Sequence, residues 1–160
     1  MVEITERRPA NLWQAAGWPE DGAALAAALG AWLGDPPPVL GWASSRAGRT
    51  VMALAPGRWL LLAEVAAQPP ATPPLVITDL SAARLVLRLA GAKLEPLLAR
   101  AGGVDPDRRA FPPGRVAQTL FHHVPVLLHR IEVTTADLLV PRSWAHALRR
   151  WLDDALAGAP

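Results

Sequence analysis

Cysteine and tyrosine are absent from the sequence. The absence of cysteine excludes a disulfide framework and a thiolate metal site. The opening residues, MVEITERRPA, lack the apolar segment of a secretory signal, and no stretch of about 18 apolar residues occurs without a charge. We therefore expect a cytoplasmic protein without a membrane span.

Charge is also sparse, since 19% of the residues are charged and the formal net charge is +2. The pI of about 10.3 arises because arginine does not titrate, and it does not indicate a basic field. Lysine and arginine never exceed two in a row, so no nucleic-acid partner is expected. The hydrophobic fraction of 51% leaves two explanations open: burial against other subunits, or a composition rich in alanine and leucine.

Prolines divide the chain into two parts. The segment AAQPPATPP, residues 66–74, is typical of an extended spacer. It separates an N-terminal half, about residues 11–65, from a C-terminal half, residues 75–157. Because each half is too small to bury a core well alone, we predict a single merged domain over residues 1–160.

The N-terminal half predicts a strand, a helix and three more strands. Leu12–Gly17 is the first strand, and a helix capped by Asp21 carries Leu25, Leu29 and Leu33 on one stripe. The other strands are expected at residues 40–43, 50–54 and 59–62, where the links SSRAG and APG read as hairpin turns.

The C-terminal half predicts two strands, a helix, three strands and a final helix. ARLVLRLA alternates like a strand with one buried face, and AKLEPLLARAGG has helical spacing. Ser143 is the predicted cap of the last helix, with Trp144 and Trp151 in its apolar stripe. The other strands are expected at residues 75–79, 114–122, 124–133 and 136–140. The two halves together predict an α+β fold of antiparallel or mixed sheets, with helices on one face and split β-α-β, ferredoxin-like halves.

The run RAFPPGRVAQTLFHHVPVLLHR concentrates histidine in an apolar context. Strand alternation would place His122 and His123 on opposite faces, and the run contains no acid, Glu132 being the nearest. A metal site is therefore not expected. We interpret His122, His123 and His129 as structural residues or contacts to a partner chain.

Other catalytic patterns are missing as well. No serine lies in a nucleophile motif, and no glycine-rich phosphate loop is present. We accordingly predict no catalytic, cofactor-binding or metal-binding residue in this chain. Arg109 and Arg115 flank FPPG and could clamp an anion, pair with acids on a neighbouring chain, or remain solvated. They join the three histidines as candidate partner or anion contacts.

Several blocks taken together resemble the gamma subunit of heterotetrameric sarcosine oxidase. These blocks are ALAPGRWLLLAE, VITDLSAARLVLRLAGAKLEPLLARAGGVD, RAFPPGRVAQTLFHHVPVLLHR and LLVPRSWAHALRRWLDDA, and the likeness runs from about Trp13 to Leu156. That subunit is in turn similar to the aminomethyltransferase and folate-binding domain family. Here RIEVTTADLLVPRSWA lacks that family's acidic motif, and only Glu132 or Asp137, both displaced, could replace its carboxylate.

The resemblance implies an accessory, non-catalytic subunit of an alpha-beta-gamma-delta complex. Such a complex oxidises the N-methyl group of sarcosine, giving glycine, hydrogen peroxide and a one-carbon unit that passes to tetrahydrofolate. FAD, FMN, NAD and tetrahydrofolate would bind partner subunits, and an isolated chain would be prone to self-association. The alternative is a small stand-alone folate- or one-carbon-binding protein, with Arg109 and Arg115 holding the glutamate tail.

Overall fold

The computed structural model describes residues 1–158. The chain forms two compact units, one made of Met1–Arg8 with the chain from Ala83 onward, and the other of Pro9–Ala82. We call the first the split unit and the second the inserted unit. The merged single domain stays a prediction.

Ten strands and three α-helices make up the two units in the described range. The strands are β1 (Glu3–Arg7), β2 (Asn11–Ala16), β3 (Ala43–Arg46), β4 (Arg49–Ala55), β5 (Arg58–Ala63), β6 (Val76–Asp79), β7 (Arg84–Ala90), β8 (Val116–Phe121), β9 (Val124–Glu132) and β10 (Thr135–Pro141). The helices are α1 (Gly22–Leu33), α2 (Leu94–Ala101) and α3 (Arg142–Ala157). No helix within residues 1–158 has the length and apolar character needed to cross a membrane.

The split unit is a five-stranded antiparallel sheet in the order β1-β7-β10-β9-β8. Leu87, Leu128 and Leu138 point to one face, where they pack with the apolar residues of α2 and α3 in one buried cluster. Because side chains alternate along a strand, their neighbours Arg88, His129 and Asp137 point to the opposite face.

The inserted unit is a second antiparallel sheet, in the order β3-β4-β5-β2-β6. Helix α1 packs Leu29, Trp32 and Leu33 against Trp13 and Leu61 of this sheet. The Trp13 and Trp32 rings meet edge to face, with centroids 6.1 Å apart. The α+β architecture with antiparallel sheets agrees with the prediction.

Several details differ from the sequence prediction. Strand β1 was not predicted, and β6, which was assigned to the C-terminal half, pairs with β2 of the inserted unit. The Ser143 cap is wrong, because α3 starts one residue earlier and its first turn has no side-chain cap hydrogen bond. Trp144 is 49% exposed and does not belong to the apolar stripe of α3.

Candidate functional site

The five predicted contact residues are distributed over the loop before β8 and the β8–β9 hairpin. Arg109 and Arg115 precede β8, whereas His122 and His123 follow its last residue. Six residues of extended strand separate these positions by roughly 20 Å. His129 is paired with Val116, at the Arg115 end of the hairpin. The candidate contacts therefore form two separate groups on one element of the fold.

Arg130 holds the loop that carries Arg109. Its side chain is fully buried, and its guanidinium donates to the carbonyl oxygens of Pro106 (2.7 Å), Phe111 (3.0 Å) and Val133 (2.8 Å). It also forms an ion pair of 2.7 Å with Glu95 of α2. One buried cation thus ties the loop to α2 and to the β9–β10 turn, because a guanidinium offers several donors in fixed directions.

The two candidate arginines lie at this anchored end. Arg109 is exposed, and its backbone N–H donates to the Asp107 carboxylate at 2.7 Å. Arg115 is half-buried, and its backbone N–H donates to the Pro112 carbonyl at 3.1 Å. Both backbones are therefore fixed by local hydrogen bonds. Their role as partner or anion contacts stays a prediction.

His122 and His123 form the turn of the β8–β9 hairpin. Phe121 and Val124 are the last paired residues, and the φ angles of the two histidines are 46° and 67°. Two central residues with positive φ are the signature of a type I′ hairpin turn, which normally recruits asparagine and glycine. The expectation that strand alternation separates these side chains is therefore wrong, because neither residue lies in a strand.

The His122 ring is fixed by stacking. It lies nearly parallel to the Trp151 indole, with centroids 4.3 Å apart and planes inclined by 13°. Its backbone N–H donates to the Ala101 carbonyl at 3.1 Å, at the end of α2. The His123 ring is 5.4 Å from that of His122, and both residues are exposed. Within residues 1–158 no three potential metal ligands of the types His, Cys, Asp and Glu come together.

A polar row crosses the opposite face of the split-unit sheet. Strand register places Arg88, Asp137 and His129 side by side on β7, β10 and β9. Asp137 is 3% exposed and accepts two bonds from Arg88, Nε to Oδ1 at 2.8 Å and Nη2 to Oδ2 at 2.9 Å. Arg7 of β1 adds a third bond, from Nη1 to Oδ2 at 3.0 Å.

Burial dominates the protonation of His129, the third member of this row. Desolvation lowers its pKa from 6.5 to about 4, partly opposed by the negative charge of Asp137 and reinforced by Arg88. His129 is therefore a neutral imidazole at neutral pH. The neighbouring Asp137 is held by the guanidinium groups of Arg7 and Arg88.

The ionic contacts of Arg7, Arg88 and Arg130 were not predicted from the sequence. Arg130 and Asp137 each carried one usable signal, namely a charge beside a run of apolar residues within a strand. A buried charge requires a partner, so both positions could have been marked as paired. Which partner each one takes depends on strand register, which the local pattern does not contain.

Comparison with known proteins identifies relatives of this architecture. Residues 74–158 match the family described as sarcosine oxidase, gamma subunit family. A chain of heterotetrameric sarcosine oxidase from Corynebacterium sp. U-96, solved with pyrrole 2-carboxylate, superimposes with a TM-score of 0.86 at 28% identity, covering 99% of this chain and 85% of that one.

A more distant similarity concerns the fold alone. The glycine cleavage system aminomethyltransferase T from Bartonella henselae matches with a TM-score of 0.66 at 18% identity. The alignment covers 94% of this chain and 45% of that enzyme, so the chain spans less than half of it. No curated protein sequence matches the chain significantly.

Proposed function

Since the chain belongs to the sarcosine oxidase gamma subunit family, we propose that it is an accessory, non-catalytic subunit of a sarcosine-oxidase-type flavoenzyme complex. The observation that carries the proposal is the likeness to a chain of a heterotetrameric sarcosine oxidase over 99% of the residues. Alpha, beta and delta subunits would be its partners, in the cytoplasm.

The proposed complex performs an oxidative demethylation. Sarcosine loses its N-methyl group to give glycine, the electrons reduce oxygen to hydrogen peroxide, and the one-carbon unit passes to tetrahydrofolate. FAD, FMN, NAD and tetrahydrofolate would be held by partner subunits. The contribution of this chain would be assembly and stability of the complex.

The ionic contacts of the chain support the accessory role. Asp137, one of the two displaced acids that could replace the carboxylate of the folate-binding family, accepts three hydrogen bonds from Arg7 and Arg88. A carboxylate so engaged has fewer free acceptor positions for a ligand, because its oxygens already accept from the two guanidinium groups. Arg109, Arg115, His122 and His123 are proposed as partner contacts.

Co-expression of a tagged chain with the alpha, beta and delta subunits tests the proposal. We expect the flavin-bearing subunits to co-purify and the double variant Arg109→Glu/Arg115→Glu to recover less of them. Arg150→Glu, an exposed charge reversal on α3, is the matched control. A wild-type chain that recovers no flavin-bearing subunit would contradict the proposal.

The rival function predicts a different result. A stand-alone folate-binding protein should show saturable quenching of tryptophan fluorescence when the purified chain is titrated with tetrahydrofolate. We expect no saturable quenching at submillimolar ligand, because tetrahydrofolate is assigned to a partner subunit. Saturable binding that Arg109→Glu abolishes would favour the rival.

A further inference from the structure

The inserted unit contains an apolar cleft of about 480 Å³ that none of the contacts described above uses. It lies where β2 leads into α1, beside the β4–β5 turn. Its lining residues are Ala16, Gly17, Trp18, Pro19, Pro56, Gly57, Arg58, Pro74 and Val76. Trp18 is 72% exposed and Val76 is 65% exposed, so the cleft presents two large apolar side chains to solvent.

The floor of the cleft is a row of three side chains. Strand register pairs Ala16 with Arg58 on one side and with Val76 on the other, so all three point to the same face. The small Ala16 side chain leaves a trough between its two neighbours. The Arg58 guanidinium, the only charged group in the lining, makes no hydrogen bond or ion pair within residues 1–158.

Gly17 and Gly57 let two backbone segments come into direct contact at one wall of the cleft. The Gly17 N–H donates to the Gly57 carbonyl at 2.9 Å. Gly57 has a φ of 68°, and a Cβ atom there would overlap the Gly17 carbonyl oxygen. The two backbones therefore meet directly, and the Trp18, Pro19 and Pro56 side chains stand around this junction.

Strand β6 borders the cleft and is the last strand of its sheet. The Leu80 N–H donates to the Leu12 carbonyl at 2.8 Å. This bond shows which residues of β6 direct their backbone groups toward β2. In an antiparallel pair the inward bonds recur at every second residue, here Thr78 and Val76. The backbone N–H and C=O groups of Ile77 consequently point outward, to the open edge.

We propose that an extended segment of another subunit adds to β6 as a sixth strand. It inserts an aromatic or branched apolar side chain between Trp18 and Val76, and places a carboxylate on Arg58. The outward backbone groups favour a polypeptide strand over a small molecule, because they are satisfied by main-chain bonds. The exposed Arg58 guanidinium can pair with an acid, and tryptophan is among the residues enriched at binding hot spots. This inference rests on the proposed function, since it names the surface that meets a partner.

Competitive incorporation into the complex tests the proposal. Wild-type and variant chains are co-expressed with the alpha, beta and delta subunits, and their ratio in the purified complex is measured by mass spectrometry. We expect Trp18→Ala and Arg58→Glu each to be depleted by about tenfold or more, and Arg58→Lys to be retained. Val76→Ser should be depleted, whereas Val39→Ser, an equally exposed valine outside the cleft, should not.

A second pair of variants tests strand addition itself. Ile77→Pro removes the outward N–H, and Ile77→Ala removes the side chain but keeps that donor, so the proline variant should be depleted more strongly. Circular dichroism of the isolated variants verifies that they fold. Equal incorporation of Trp18→Ala, Arg58→Glu and Ile77→Pro with wild type would overturn the inference while leaving the proposed function intact. A wild-type chain that enters no complex would overturn both.

Discussion

Arg88 and Asp137 lie directly opposite each other on β7 and β10 and form a two-point ion pair, with donor–acceptor distances of 2.8 and 2.9 Å. Arg7 reaches the same carboxylate from β1 on the other side of β7. Three strands, distant in sequence, therefore share one nearly buried negative charge.

Replacing that charge should destabilise the fold. Asp137→Asn removes the nearly buried negative charge that both the Arg7 and the Arg88 guanidinium groups contact, and we expect the free energy of unfolding to fall by about 3 kcal/mol. Urea denaturation of the purified chain measures the loss. Asp153→Asn, which breaks the exposed Arg149–Asp153 pair, serves as the control and should change stability by about 0.5 kcal/mol or less. Equal losses in the free energy of unfolding would show that the buried network stabilises the fold no more than the exposed pair does.

His129 should make stability depend on pH. Its folded-state pKa of about 4 lies below the ordinary value of 6.5, so between these values the unfolded chain binds a proton that the folded chain does not. The contribution is complete above about pH 6.5 and is lost as the pH falls toward about 4, by a total on the order of 3 kcal/mol. Urea midpoints across this pH range measure it.

Two variants isolate this effect. His129→Leu cannot titrate and should flatten the pH dependence between about pH 6.5 and 4, whereas the exposed His146→Gln should keep the wild-type slope. An unchanged slope in His129→Leu would assign the pH dependence to other groups.

Arg130 should be a major determinant of local order before β8. Arg130→Met removes the donors to three carbonyl groups and the pair with Glu95, so we expect a loss of about 3–5 kcal/mol. Amide hydrogen exchange should show the largest loss of protection in residues 104–114. Glu95→Gln keeps an acceptor at the half-exposed end of the network and leaves the three carbonyl bonds in place, so it should cost clearly less than Arg130→Met. Unchanged protection in this loop would refute the anchoring role.

The His122–His123 turn should be stabilised by glycine. His123 holds a φ of 67° without stacking on Trp151, so His123→Gly relieves the left-handed backbone and should gain about 1 kcal/mol. His122→Gly relieves similar strain but loses the stacking, and its gain should be smaller. Thermal unfolding compares the two. If His123→Gly is more stable yet enters the complex less well, the histidine is kept for a contact with a partner.

Much of the fold was visible in the sequence because burial imposes periodicity. Leu25, Leu29 and Leu33 are buried on α1 as their spacing indicated, and the alternation of Arg84–Ala90 is that of β7. Trp144 was misassigned because its spacing to Leu148 and Trp151 fits a helical stripe. The buried face of α3 instead runs through Ala145, Leu148 and Leu152.

Non-local pairing accounts for what could not be predicted. Strand β1 has little apolar pattern of its own and exists through its five-residue ladder with β7. The Arg88–Asp137 pair depends on register between strands 49 residues apart. The His122–His123 turn lacks the asparagine and glycine that usually mark it, although the two-residue gap between Phe121 and Val124 was a signal.

The sequence separation of β1 and β7 has a consequence during synthesis. A ribosome releases Glu3–Arg7 long before Arg84–Ala90, with the whole inserted unit between them. Strand β1 therefore remains without its partner β7 while Pro9–Ala82 is synthesised. It can pair only after Arg84–Ala90 has followed. The stretch matched by the family, residues 74–158, omits this strand and the Arg7 side chain that holds Asp137, so a fragment cut to those limits would lack part of its own folding unit.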